Sequence, residues 1–261
     1  MIPGSVVFEW VGGARTVIQR GDTGMTQNIY CGLQDFGDMA YVLHATTPQD
    51  LFVDVGANLG GYTILACAAR GARGYCVEPV PATYRRLLDN IAINNLSSRV
   101  VTLNIGLSNR DGELNFTAGD GCYNRVIANG EPNADCITVP VRTLDSVLSG
   151  ESPSMMKIDV EGFETPILDG AEATLGNASL HSVIMELNGF GARYGFDDER
   201  IVRRMRDYGF STYQYEPFSR QLLPIAGKSQ SGDNTLFVRN ENLVRERIAG
   251  APRVVIGSGE F

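Results

Sequence analysis

The sequence predicts an α/β fold built on a doubly wound, mostly parallel sheet. Short, continuous apolar runs recur along the chain, and segments with helical periodicity lie between them. Such runs are typical of strands buried on both faces, and strands that alternate with helices form parallel sheets. The length of 261 residues, with 43% hydrophobic and 20% charged residues, fits one such domain with additions.

The elements of the main domain are expected from residue 51 to residue 240. The first half alternates strand and helix: strands at 51–55, 74–78 and 99–105, helices at 58–70 and 81–95. A small β insertion follows, with strands at 113–117 and 136–141. The second half is expected to hold helices at 144–148, 165–175 and 198–208, and strands at 155–160, 182–187, 210–215 and 236–239. The last two strands lack a helix between them, which favours a hairpin at one edge of the sheet.

Two additions flank this domain. Residues 1–50 are rich in glycine, and we expect an N-terminal extension that packs on the core, with short strands near 6–10 and 16–19 and a helix at 35–44. Residues 241–261 are expected to form a C-terminal tail with a flexible end.

Charge and composition exclude several classes of protein. The net charge is −8 and no segment is rich in Lys and Arg, which is untypical of proteins that track a nucleic-acid backbone. No signal peptide is recognised, and no apolar stretch reaches the ~18–20 residues of a membrane span. The five cysteines lack Cys-x-x-Cys spacing, which favours reduced thiols. We expect a cytoplasmic protein with neither nucleic-acid nor membrane partners; the oligomeric state is left open.

The segment Asp54–Gly60 follows the first strand and opens a helix. Its glycines permit a sharp turn, and the free N–H groups of a helix N-terminus face a ligand there. Asn58 stands where dinucleotide-binding loops have the glycine that approaches a pyrophosphate, so a ligand without one is favoured. An aspartate just before the turn suits an ammonium group. Glu78 ends the next strand, where an acid grips a ribose diol in related folds.

These segments and a later one resemble one enzyme family. Tyr62 and Thr63 follow the loop, Pro79 follows Glu78, and residues 157–164 form a second charged signature. Over about residues 27 to 215 the chain resembles the FkbM family of S-adenosylmethionine-dependent methyltransferases. The resemblance implies a class I, seven-stranded Rossmann-like sheet and O-methylation of a hydroxyl on a sugar, lipid, natural product or other small molecule.

The cofactor site is expected to draw on both segments and on the end of the third strand, where the adenine lies in class I sites. We assign S-adenosylmethionine binding to Asp54, Gly56, Asn58, Gly60, Tyr62, Thr63, Glu78, Pro79, Leu107, Ser108 and Asp159. Gln27, Asn28 and Tyr30 lie in a stretch that closes over the cofactor in family members. Asn124 and Arg125, in the inserted loop, are candidates for contacting substrate or cofactor.

The catalytic residues are expected at the carboxyl ends of two strands. Lys157, Asp159 and Glu161 alternate along one strand, so their side chains are expected to share a face, and Glu186 ends the next strand. A charged Lys157 could stabilise developing alkoxide while Asp159 or Glu161 accepts the proton. Alternatively, Asp159, Glu161 and Glu186 could hold Mg²⁺, although no residue spacing demands a metal. A plain ion pair of Lys157 with a carboxylate is a third interpretation.

Other functions stay open at this point. A cofactor-binding protein without catalysis, a nicotinamide-dependent oxidoreductase and an N- or RNA-directed methyltransferase are the alternatives. Asn58 argues against the oxidoreductase and the acidic charge against RNA. His44 is a candidate general base by its chemistry, or else a structural histidine, while His181 is expected at the surface or at a cap.

Overall fold

The computed structural model describes residues 4–19, 22, 24–119, 121–128, 130–131, 135–256 and 259–261. Its strands, in chain order, are β1 Ser5–Glu9, β2 Arg15–Gln19, β3 Leu51–Val55, β4 Arg73–Val77, β5 Val100–Leu103, β6 Gly106–Leu107, β7 Gly112–Thr117, β8 Cys136–Arg142, β9 Met155–Ile158, β10 Ser182–Glu186, β11 Ser211–Glu216, β12 Gln221–Pro224, β13 Asn234–Val238, β14 Val255–Ile256 and β15 Gly259–Glu260.

The helices cover both faces of the main sheet. They are α1 Gly24–Cys31, α2 Phe36–Ala45, α3 Gly61–Thr63, which continues as a π-helical segment over Ile64–Ala69, α4 Pro81–Ile93, α5 Leu144–Val147, α6 Glu164–Asp169, α7 Glu172–Gly176, α8 Asp198–Asp207 and α9 Glu241–Gly250. Short 3₁₀ turns span Gly121–Tyr123 and Phe190–Tyr194. No helix of the described chain is both long and apolar enough to cross a membrane.

The central sheet confirms the predicted α/β class. Among the described residues it has eight strands in the order β12-β11-β13-β10-β9-β3-β4-β5. The strands from β10 to β5 run parallel, and the three at the other edge are antiparallel. Seven strands were predicted, and β12 was missed because only Leu222 of its four residues is buried. An edge strand with one solvated side shows no apolar run, and it tolerates Pro224.

Strand β3 lies near the middle of the sheet and occupies the predicted residues. All five of its side chains are buried, and it pairs with β4 on one side and β9 on the other. The β3–β9 register places Asp54 opposite Lys157. Since the parallel strands all end at the same edge, the polar residues that follow β3, β4, β9 and β10 meet there.

The described N-terminal residues contact this core. The hairpin of β1 and β2 contacts α4 through Asn90, whose side chain accepts from Val17 N at 2.7 Å and donates to Leu59 O at 2.7 Å. Helix α1 was not predicted, because it is short and polar and buries only Met25 and Asn28. Helix α9 was also unpredicted, and its Arg247 donates to Ala45 O at the end of α2 at 3.2 Å.

The predicted β insertion is a separate small sheet, in which β8 lies between β6 and β7. The single helix predicted over 165–175 is two helices, α6 and α7, broken at Gly170. A Cβ at Gly170 would lie 2.2 Å from the carbonyl oxygen of Ser108, so this close approach requires glycine. The strand predicted over 155–160 ends at Ile158. Asp159 and Glu161 therefore lie in the turn after this strand and not on the strand, where they were predicted.

Candidate active site

A cavity of about 640 Å³ opens at the carboxyl edge of the parallel strands. The loops after β3, β4 and β9 and the last residue of β10 line it, together with α1, α2, the β insertion and the start of β13. Every residue to which the sequence assigned a catalytic role borders it: Lys157, Asp159, Glu161 and Glu186. So do eight of the eleven residues assigned to cofactor binding: Asp54, Gly56, Asn58, Tyr62, Glu78, Pro79, Leu107 and Asp159.

The loop after β3 turns through left-handed backbone at alternate positions. Gly56, Asn58 and Gly60 have φ of 77°, 51° and 85°. A Cβ on Gly56 would lie 1.8 Å from the carbonyl oxygen of Asp159, so only glycine fits there. Asparagine tolerates left-handed backbone better than most residues, which gives Asn58 a structural reason beside the one inferred from the sequence.

Asp54 anchors the loop from beneath. Its Oδ2 accepts a hydrogen bond from Thr63 Oγ1 at 2.6 Å and another from Thr63 N at 3.0 Å. Burial raises the pKa of Asp54 to about 6, although the Thr63 bonds and Lys157 lower it. Thr63 does not border the cavity, because its hydroxyl points to Asp54. Thr63 therefore holds the aspartate that faces the cavity, and its own cofactor contact stays a prediction.

Glu78 closes the other side of the same loop. Its Oε2 accepts from Asn58 N at 3.0 Å and its Oε1 accepts from Val80 N at 2.9 Å. Burial raises the pKa of Glu78 to about 7, against these two bonds. Each carboxylate oxygen keeps a second lone pair, so the group could also accept two ribose hydroxyls. Asn104 Nδ2 donates to the carbonyls of Glu78 and Pro79 and fixes this corner.

Two further residues assigned to the cofactor lie away from the cavity, so their contacts stay predictions. Gly60 does not border the cavity, since it is the N-cap of α3 and packs against Leu87, which a Cβ would approach to 2.6 Å. Ser108 is 6% exposed and likewise does not border the cavity, because its carbonyl faces Gly170. Leu107, its neighbour, does line the cavity. Of the proposed closing segment, Gln27 and Asn28 line the cavity, whereas Tyr30 is 89% exposed and does not.

Lys157 is fully enclosed at the floor of the cavity. Only 1% of it is exposed, and its Nζ donates to Asp159 Oδ2 at 3.0 Å and to Asn234 Oδ1 at 2.9 Å. The Tyr62 ring centroid lies 5.3 Å from Nζ. Burial lowers the pKa of Lys157, but Asp159 and Glu186 outweigh this and raise the pKa overall, so the side chain stays charged.

Three carboxylates converge beside this lysine. Asp159, Glu161 and Glu186 each offer an oxygen, and these oxygens all lie within 4.8 Å of one another. Glu161 reaches the group from a turn in which its own φ is 56° rather than from the predicted strand face. Burial and Asp159 raise the pKa of Glu161 to about 7, and burial raises the pKa of Glu186 well above its usual range. We call these three residues the carboxylate cluster.

A second polar group on this floor was not predicted from the sequence. Asp35 Oδ2 accepts from Tyr62 Oη at 3.1 Å, and burial raises the pKa of Asp38 to about 6. Both aspartates lie at the start of α2 and border the cavity, as does Asn234. The antiparallel pairing of β13 with β10 places Asn234 opposite Glu186, at the ligand edge. A polar residue opening an antiparallel strand was the signal that could have found Asn234.

Neither histidine belongs to the site. His44 is 1% exposed, does not border the cavity, and its Nδ1 lies 2.6 Å from Tyr215 Oη. Burial lowers the pKa of His44 to about 4, so this is a structural histidine. The expectation that His181 lies at the surface is wrong: it is 2% exposed and contacts Arg247. Arg125 does border the cavity, paired with Glu131.

A family model described as the methyltransferase FkbM domain matches residues 54–212, which include both signature segments. The chain belongs to the FkbM methyltransferase family. The match confirms the resemblance inferred from the sequence, including S-adenosylmethionine as cofactor and a methyltransferase activity. The oxidoreductase and the binding protein without catalysis are therefore not favoured.

Individual proteins are similar to this FkbM methyltransferase over much of its length. The chain is 28% identical over 177 residues to the hexuronic acid methyltransferase AglP of Haloferax volcanii, over 66% of this chain and 67% of the relative. Among solved structures, the methyltransferase FkbM from Methylobacillus flagellatus KT has a TM-score of 0.49 at 16% identity, over 74% of this chain and 44% of that chain. M. jannaschii TYW2 in complex with AdoMet has a TM-score of 0.47 at 15% identity, over 92% and 88% of the two chains.

Proposed function

We propose that this protein transfers the methyl group of S-adenosylmethionine to a hydroxyl of an acidic sugar. The observation that carries the proposal is the shared cavity: the loop after β3 with Glu78 forms one wall, and Lys157 with the carboxylate cluster forms the floor beside it. A cofactor whose ribose is held by Glu78 would then direct its methionyl end past Gly56 toward the cluster.

The chemistry of the floor suits a hydroxyl acceptor. In methyl transfer the acceptor oxygen attacks the methyl carbon, the C–S bond breaks, and S-adenosylhomocysteine and a proton leave. An efficient proton acceptor has a pKa near the working pH. Burial and Asp159 raise the pKa of Glu161 to about 7, which meets this condition, and the charged Lys157 stabilises negative charge that develops on the acceptor oxygen.

The acidic-sugar class rests on two supports. The relative AglP is named a hexuronic acid methyltransferase. In this chain, Arg125 borders the cavity, and both Arg125 and Arg193 lower the pKa of Glu161 by their positive charge. Arg125 is paired with Glu131, so an acceptor carboxylate beside it would share that guanidinium and would orient its sugar ring with a hydroxyl toward the cluster.

The test compares two acceptors that differ only in one carboxylate. We expect S-adenosylhomocysteine to form from S-adenosylmethionine faster with a glucuronic acid glycoside than with the matching glucose glycoside. Glu161→Gln should reduce turnover by about 100- to 10,000-fold, the usual contribution of a general base. Equal rates with both glycosides would reject the acidic-sugar class. No product with either glycoside, or with a wider panel of hydroxyl acceptors, would contradict hydroxyl methylation.

A further inference from the structure

The carboxylate cluster has three acidic groups beside a single bonded cation. That cation among the described residues is Lys157, whose ammonium is shared between Asp159 and Asn234. With all three carboxylates ionised, the group would carry a charge of about −2. Uncompensated charge is costly in a partly enclosed cavity, unless something else binds there.

Glu161 is nearly buried and has no bonded partner, which points to a ligand independently of the charge. Only 8% of it is exposed, it borders the cavity, and its carboxylate makes no hydrogen bond or ion pair within the described part of the chain. Glu186 also presents a buried oxygen, Oε2, that has no hydrogen-bond partner there. Buried polar atoms of native proteins are nearly always paired, so the unpaired Glu186 oxygen, beside a Glu161 carboxylate that has no bonded partner, indicates a ligand with positive charge.

The cavity as a whole is also lined by more acidic than basic side chains. Its lining has eight acidic side chains and two basic ones. The acidic ones are Asp35, Asp38, Asp54, Glu78, Asp159, Glu161, Glu186 and Asp233, and the basic ones are Arg125 and Lys157. The sulfonium cofactor adds a single net positive charge, and an acidic sugar would add a further negative one. Positive charge from another source would offset this excess.

We propose that Asp159, Glu161 and Glu186 bind one divalent cation of the Mg²⁺ or Mn²⁺ type. The donor set is made only of carboxylate oxygens, which hard cations prefer, and it contains no Cys or His for a softer metal. Two ligands at ~2.1 Å from a metal lie at most about 4.2 Å apart, so carboxylate oxygens that lie within 4.8 Å of one another need side-chain movements of only a few tenths of an ångström to share one ion.

The cation would activate the acceptor hydroxyl, and this role rests on the proposed function. Three carboxylates leave open coordination positions that face the cavity, and two neighbouring oxygens of a sugar can fill them. A hydroxyl bound to the cation loses its proton more readily, because the cation stabilises the oxyanion. In this arrangement Glu161 would be a ligand rather than the proton acceptor: the oxygen would attack the methyl carbon as the C–S bond breaks, and the proton would pass to water at the open mouth.

The test measures Mn²⁺ binding to the 261-residue protein after metal has been removed with a chelator. We expect one Mn²⁺ per chain by electron paramagnetic resonance, displaced by Mg²⁺. Loss of an outer-shell partner costs a metal site about 10- to 100-fold in affinity, so Glu161→Gln and Glu186→Gln, which remove a ligand, should each weaken binding by at least about tenfold. The matched control is Glu172→Gln, an exposed acid on α7, and it should bind Mn²⁺ like the wild type.

Two results would overturn the cation site. One is wild-type protein that binds no Mn²⁺ while it still binds S-adenosylhomocysteine; the other is equal Mn²⁺ affinity in the wild type and both cluster variants. Turnover separates this inference from the proposed function. If product forms at an unchanged rate in excess chelator, the cation site is wrong and hydroxyl methylation stands. If one Mn²⁺ binds at the cluster but no acceptor is methylated, the site stands and the proposed function is wrong.

Discussion

Replacing Glu78 with glutamine should weaken cofactor binding while it changes the stability of the protein little. The carboxylate accepts from Asn58 N at 3.0 Å and from Val80 N at 2.9 Å, and only 6% of Glu78 is exposed. In glutamine one of these acceptors becomes an NH₂ donor, so one buried N–H loses its partner at a cost of about 1–3 kcal/mol.

A second effect of Glu78→Gln opposes the first. Burial raises the pKa of Glu78 from 4.5 to about 7, so the folded protein disfavours the charged form. Holding that charge above pH 7 costs about 3 kcal/mol at ~1.4 kcal/mol per pKa unit, and glutamine removes this cost. The free energy of unfolding at pH 8 is therefore expected to stay within about 2 kcal/mol of the wild type.

Cofactor affinity has no such compensation. A hydrogen bond from a ribose hydroxyl to a carboxylate contributes about 1.5–3 kcal/mol, and glutamine keeps one acceptor oxygen of the two. The dissociation constant for S-adenosylhomocysteine at pH 8 should rise about 10- to 100-fold by isothermal titration calorimetry. Asp89→Asn, an exposed acid on α4, is the matched control and should bind normally. Unchanged affinity in Glu78→Gln would refute the ribose contact, and a large loss of stability would show that Glu78 serves the loop rather than the ligand.

Two other substitutions test the packing beneath the site. Asn90→Ala removes the side chain that bonds Val17 N and Leu59 O at 2.7 Å each, so urea unfolding should show a loss of about 2–4 kcal/mol, and a loss below about 0.5 kcal/mol would contradict the role of Asn90 as a tie between hairpin and loop. Asp54→Asn keeps an oxygen for the Thr63 bonds and removes a carboxylate whose pKa burial raises to about 6, above the unfolded value of 3.8. Because the folded protein holds this proton more tightly, ionisation of Asp54 destabilises the wild type as the pH rises from about 4 to 6, by up to about 3 kcal/mol. Unfolding at pH 4.5 and 7.5 should thus show that the stability of Asp54→Asn relative to the wild type grows with pH, and a pH-independent difference would contradict the raised pKa.

The sequence predicts the parallel half of the fold well, because each buried strand is marked by a short apolar run in the local sequence. Strand β3 is a five-residue apolar run that ends at a glycine, and its bounds are those predicted. Strands buried on both faces leave a continuous signal of this kind. Helix α1 and edge strand β12 bury few residues, so their patterns are weak and they were missed.

The residues of the site also divide into those that the local sequence pattern predicts and those that only tertiary packing brings there. Asp54, Glu78 and Lys157 lie within or directly after apolar strands, so the local pattern of the sequence is enough to place them at one edge of the sheet. Asp38 and Asn234 come from distant parts of the chain, and only the tertiary packing of α2 and β13 brings them to Lys157. For Glu161 the predicted position was right and the reason wrong, because β9 ends at Ile158 and a left-handed turn redirects the chain.

We expect the cofactor loop and the carboxylate cluster to face one and the same bound cofactor. A crystal structure with S-adenosylhomocysteine tests this most directly. It should show the ribose hydroxyls on Glu78 and the sulfur facing Asp159 and Glu161, with space for an acceptor oxygen about 3–3.5 Å from the position of the transferred methyl. A nucleoside bound away from Glu78, or a sulfur that points away from the cluster, would contradict the claim.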